Sequence, residues 1–156
     1  MDLTTAELWM REAISEALKA EAEGEVPVGA IVLFNEKVVG RGRNSPIQLH
    51  DPTAHAEIIA LRQAAHNVAN YRLPGSVIIV TVEPCIMCVG AMIQARVDEL
   101  IYGTADLKAG AVRSCYQLAD ANQLNHKIRV TSGILEDECG SILKSFFASR
   151  RPFLKR

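Results

Sequence analysis

Val77-Ile78-Ile79-Val80-Thr81-Val82-Glu83-Pro84-Cys85-Ile86-Met87-Cys88 is the stretch that decides the fold. The β-branched run Val77 to Val80 carries no polar residue, the composition of a strand buried on both faces. Pro84 then stands where a first helical residue would, since proline there sacrifices no hydrogen bond. The helix is expected to continue to about Ala95, and Leu100-Ile101-Tyr102 reads as the next short strand. Upstream, Ala30 to Phe34 and Val38 to Gly42 flank Asn35-Glu36-Lys37, the pattern of an antiparallel hairpin. Before the hairpin, Thr4 and Glu7 form a capping-box signature for a first helix. In that helix Met10, Ala13, Ile14, Ala17 and Leu18 follow the helical period, Glu12, Glu16 and Glu23 face water, and Gly24 ends it. A loop rich in helix breakers (Asn44 to Thr53) leads to a second helix from about Ala54 to Ala69. After an irregular stretch from Gly103 to Lys127 come a strand near Ile128 to Thr131 and a last helix from about Leu135 to Ser149. Helices that link the later strands imply an α/β fold, a mixed sheet covered on both sides.

Composition agrees with one folded domain. The 156 residues suffice for a sizeable core and are too few for two ordinary domains. Hydrophobic residues make up 49% and charged residues 22%, which excludes disordered and low-complexity classes. The longest apolar stretch, about Val28 to Phe34, is far too short to span a bilayer. The N-terminus lacks the basic start and apolar middle of a signal peptide, so the expected address is the cytoplasm. Four cysteines (Cys85, Cys88, Cys115, Cys139) are then expected as reduced thiols. The net charge of −1 divides into +5 over residues 144–156 and −6 over the remainder. An acidic body with a basic end, from about residue 135 onward, fits either localised contact with a polyanion or a solvated helix terminus.

Two motifs open helices. One is His55-Ala56-Glu57; the other is Pro84-Cys85-Ile86-Met87-Cys88. Residues three apart share a helix face, so Cys85 and Cys88 can aim both sulfurs at one ion, and a helix N-terminus favours the thiolates. Two thiolates and an imidazole suit zinc. Structural zinc sites take four protein ligands, whereas catalytic ones take three and leave a place for water. His55, Cys85 and Cys88 supply three, and neither Cys115 nor Cys139 has a metal-binding companion in sequence. The open-site reading makes Glu57 a proton carrier beside the zinc-activated water. Alone, an H-x-E can be a solvated helix start, and a C-x-x-C can be a redox pair or half of a closed zinc site.

H-A-E followed by P-C-x-x-C resembles the signature of zinc-dependent nucleobase deaminases. The chain resembles most closely the bacterial tRNA-specific adenosine deaminases, from about Val26 to Arg151. Further segments carry the resemblance: Pro27-Val28-Gly29-Ala30, Gly40-Arg41-Gly42-Arg43-Asn44, Asp106-x-Lys108-x-Gly110-Ala111, Asp137-Glu138-Cys139, Phe146-Phe147 and Arg150-Arg151. It implies a cytidine-deaminase-like, three-layer αβα fold with a mixed sheet of about five strands. It also implies one zinc-dependent deaminase domain over residues 1–156, with one Zn2+ per subunit on His55, Cys85 and Cys88. The implied reaction is hydrolytic deamination of adenosine to inosine at the tRNA wobble position, with Glu57 passing a proton from water to N1 and then to ammonia.

The same resemblance implies that Asn44, the Ala56 amide and Val28 contact the flipped base. Asp106, Lys108, Phe147, Arg150 and Arg151 would contact the tRNA anticodon arm, and the enzyme would be a homodimer without a membrane partner. Phe146 and Phe147 recur at helical spacing with Ile142 and Leu143, so at least one of the two is expected in the core. His126 is a further possible RNA contact, and His66 is expected in solvent. Two other readings share much of this pattern: a deaminase of a free base or nucleoside, and a non-catalytic zinc-binding partner subunit.

Overall fold

In the computed structural model, residues 1–154 are described by their backbone and residues 1–150 by their side chains as well. The elements run α1 (Leu3–Ala22), β1 (Gly29–Phe34), β2 (Lys37–Arg43), α2 (Pro46–Leu49), α3 (Ala56–Val68), β3 (Val77–Val82), α4 (Ile86–Ala95), β4 (Glu99–Thr104), β5 (Arg129–Thr131) and α5 (Glu136–Leu154). The strands form one sheet in the order β2-β1-β3-β4-β5. β1 pairs antiparallel with β2 and β3, while β3, β4 and β5 run parallel. This is the mixed five-stranded sheet expected from the sequence.

Alternation along the strands sends side chains into two cores. Ala30, Val32, Ile78, Val80 and Val82 pack with α3 and α4, whereas Ile31, Leu33, Ile79 and Ile101 meet α1 and the start of α5. Helices therefore cover both faces, giving the three-layer αβα arrangement. The run Val77 to Val80 contributes to both layers, as its unbroken apolar composition requires.

Several details differ from the sequence expectations. α1 is capped by Asp2, whose carboxylate accepts the Thr5 N–H at 2.8 Å, so the Thr4/Glu7 box is not the cap. Asp2 takes that place, two residues earlier, because Leu3 is already helical. Glu16 is buried, not solvated: it lies under Arg43 at 3.8 Å and Lys19 at 3.6 Å, which compensate its charge. The hairpin turn needs only Asn35 and Glu36, both with positive φ, the two-residue turn that suits strand twist. The breaker-rich loop contains the short α2. Pro84 lies just outside α4, with Cys85 as its N-cap, and His55 likewise caps α3. The last helix runs on through Leu154.

Two glycines place α3. A Cβ on Gly40 or Gly42 would collide with the Ala60 or Ala56 carbonyl, so β2 and α3 touch backbone to backbone. That contact fixes the height of α3 over the sheet, and with it the position of His55 at its tip.

Candidate active site

Two helix N-termini converge at one place. His55 caps α3 and Cys85 caps α4, yet neither uses its side chain for capping, which leaves both free to face each other. His55 Nδ1 lies 3.6 Å from Cys85 Sγ and 3.5 Å from Cys88 Sγ. A tetrahedral ion with Zn–S of about 2.3 Å and Zn–N of about 2.0 Å would set these separations at about 3.5 Å. The spacing fits zinc, and Nδ1 is the nitrogen presented.

Hydrogen bonding within the cluster sets its two thiols apart. A hydrogen bond from Cys88, with His55 alongside, lowers the Cys85 thiol to about 4. Cys88, bonded to that thiolate and buried, is pushed up. His55 is raised chiefly by its bond to Cys85. Among the described residues, His55, Cys85 and Cys88 are the group of three or more ligating side chains drawn together. Cys139 is buried under Gly103 in the opposite core layer, and Cys115 is exposed with its thiol on the Leu107 carbonyl at 3.2 Å. Neither joins the cluster, so three protein ligands stand together without a fourth cysteine.

Glu57, on the first turn of α3, is buried, and burial pushes its carboxyl up to about 7. A carboxyl balanced near neutrality can both take and give a proton. It forms part of a cavity of about 660 Å³ together with His55 and Cys85. Of the residues expected to touch substrate, Val28, Asn44, Asp106, Lys108 and Phe147 line that cavity.

Three of the expected contacts are shaped by the protein itself. The Ala56 N–H donates to Asn44 Oδ1 at 2.9 Å, so this amide orients Asn44 and the Asn44 NH2 group is the donor left over. Asp106 Oδ1 accepts the Lys108 and Ala109 amides at 3.0 and 3.1 Å, stabilising the turn that forms the rim. Arg150 does not line the cavity. Its guanidinium lies 4.2 Å over the Phe146 ring, a cation–π contact, and donates to the Gly24 carbonyl at 3.2 Å. Phe146 is the buried member of the aromatic pair, and Phe147 is exposed at the cavity wall. The Arg151 side chain lies outside the described residues. His126 is occupied with the Val97 carbonyl at 2.7 Å, and His66 is exposed as expected.

Sequence reading missed two buried carboxylates that order connecting segments, one of them, Glu83, in the cavity wall. Glu25 accepts the Ile47 and Gln48 amides at 3.2 and 2.8 Å and so caps α2, whose N-cap Ser45 turns its hydroxyl to the Arg43 carbonyl and makes no capping bond. Glu83 accepts donors from Asp106 and from residues 112–114. The signal for both was an acid set directly before Val26-Pro27 or Pro84, in otherwise apolar surroundings.

The comparisons with known proteins agree with this geometry. The family model described as MafB19-like deaminase matches residues 4–151. A tRNA-specific adenosine deaminase of Haemophilus influenzae is 48% identical over 93% of this chain and 84% of its own length. One from Bacillus subtilis is 40% identical over 96% of this chain and 92% of its own. A solved structure from work on A-to-I editing by wobble-position tRNA deaminases superposes with a TM-score of 0.83 at 40% identity, covering 86% of this chain and 97% of that one. With its fold, its His-Cys-Cys cluster and these relatives in agreement, the chain belongs to the family of tRNA-specific adenosine deaminases.

Proposed function

We propose that this protein converts adenosine to inosine at the wobble position of a tRNA anticodon by hydrolytic deamination. The observation that carries the proposal is the three-ligand cluster with Glu57 buried beside it, in a cavity large enough for a base. His55, Cys85 and Cys88 would hold one Zn2+ per subunit. When bound, zinc supplies acidity, lowering the pKa of a coordinated water to about 7. Overall, a C–O bond forms at C6 of the purine, the exocyclic C–N bond breaks, and ammonia leaves. Glu57 takes the proton released by water, delivers it to N1, and passes a proton to the departing nitrogen. Its carboxyl, near neutrality, fits both halves of that exchange.

Asn44, held through its oxygen by the Ala56 amide, offers its NH2 group to a ring nitrogen of the extruded base. Val28 supplies an apolar wall. Asp106, Lys108 and Phe147 line the cavity around them, where flanking nucleotides would pass. Lys108 suits a phosphate, and Phe147 suits a stacked base. Arg150 supports this wall from behind through Phe146, and Arg151 would extend the basic end. We place the enzyme in the cytoplasm as a homodimer whose domain spans residues 1–156; no helix among the described residues is long and apolar enough to cross a membrane.

The test is to incubate the zinc-loaded protein separately with an anticodon stem-loop and with free adenine, guanine, cytosine and their nucleosides. Inosine in the stem-loop is the expected result. Turnover confined to the free compounds would replace the proposal with a free-base deaminase, and no turnover of any of them would favour a non-catalytic partner subunit.

A further inference from the structure

Between β4 and β5 the chain runs irregularly over residues 105–128, a connection of 24 residues. Loops of that length without regular structure are uncommon in compact domains and need something to order them. This loop also supplies much of the cavity wall, through Ala105, Asp106, Leu107, Lys108 and Ala109. Besides the loop's own backbone bonds, one side chain from the β3–α4 connection anchors its first half. Glu83, 3% exposed and two residues before Cys85, directs both carboxylate oxygens into the loop. Oε1 accepts the Asp106 amide at 3.1 Å and the Ser114 hydroxyl at 2.5 Å. Oε2 accepts the amides of Val112, Arg113 and Ser114 at 3.1, 2.8 and 3.0 Å. The backbone on either side closes the clamp, with Glu83 N–H on the Thr104 carbonyl and Ala111 N–H on the Pro84 carbonyl, both at 2.8 Å. Gly110 lies so close that a Cβ there would strike the Glu83 carboxyl group.

We propose that Glu83 is a positioning residue for RNA binding: it fixes the Asp106–Ala109 wall against the segment that carries Cys85, and so sets how well the anticodon arm is held. The inference rests on the wobble-deaminase reading above. A carboxylate is required because both oxygens face donors. Glutamine would turn its NH2 group toward backbone N–H groups and lose the bonds on one side. Glu83 itself passes no proton. Its effect reaches the substrate through the wall, whereas Glu57 and Asn44 stand on other elements.

The test compares zinc-loaded wild type with Glu83→Gln in three readouts: metal content, amide hydrogen exchange across residues 104–115, and KM and kcat on an anticodon stem-loop. In Glu83→Gln, zinc is retained, exchange accelerates at Asp106 and residues 112–114, KM rises about tenfold or more, and kcat stays within about threefold. Ser114→Ala removes one donor from the loop side and produces a smaller change with the same KM weighting. Gly110→Ala keeps the carboxylate but drives a methyl group against it, wedging the clamp apart, and reproduces the full pattern, so the inference stays testable if Glu83→Gln does not fold. Unchanged exchange, an unchanged KM, or a fall in kcat alone would overturn it. A wild type inert toward the stem-loop would instead fail the functional reading, and unaltered exchange in the variants would still overturn the clamp.

Discussion

At the scale of single residues, the proposed chemistry depends on one carboxyl that burial pushes up to about 7. Glu57 sits 4% exposed beside His55 and Cys88, where a charge loses its hydration. Glu57→Gln preserves shape and removes proton transfer. Deamination is expected to fall by about two to four orders of magnitude with the metal retained, measured by inosine formation and zinc content. Activity near wild type would show that another group moves the proton. The His55-Cys85-Cys88 cluster and the neighbouring Glu57 were legible in the sequence because metal chemistry dictates both residue type and spacing. The carboxylates of Glu25 and Glu83 were harder to read, because most of their partners are backbone amides and leave the acid before the Pro27 or Pro84 segment as the sign. Arg150 was only partly legible for a related reason: its cationic end pointed to RNA, and only the fold shows Phe146 beneath it.

Among the elements, α3 does most to build the site, and its placement rests on the absence of side chains at Gly40 and Gly42. Gly42→Ala would force α3 away from β2, shifting His55 and the Ala56 amide that holds Asn44. A destabilisation of about 1–3 kcal/mol is expected, read as a lower thermal midpoint, together with weakened zinc binding. A variant equally stable and equally tight for metal would show that the contact is slack. The strands were readable from composition, because a strand covered on both faces must be apolar throughout and one with two cores must alternate between them. Helix starts were less readable. Asp2, His55 and Cys85 each stand one or two residues from the expected position, because a cap is chosen by local backbone geometry that several neighbouring residues could satisfy. The short α2 escaped notice because its cap, Glu25, lies some twenty residues upstream of it.

Across the whole molecule, the proposed function would link metal, fold and RNA binding. The cluster joins α3 to α4, so zinc would tie together two helices of the same layer and bind only the folded state. Removing it with a strong chelator is expected to lower the thermal midpoint and abolish activity, with both restored by Zn2+ and neither by Mg2+. An unchanged midpoint would separate metal from folding. RNA affinity is expected to weaken steeply as salt rises from low to moderate concentration, because Lys108 and the basic C-terminal end would act through phosphates. The account depends above all on the count of ligands at the metal. X-ray absorption at the zinc edge of the purified protein measures that count directly: two sulfurs, one imidazole nitrogen and one light oxygen-type ligand are predicted, and three or four sulfurs would contradict the account.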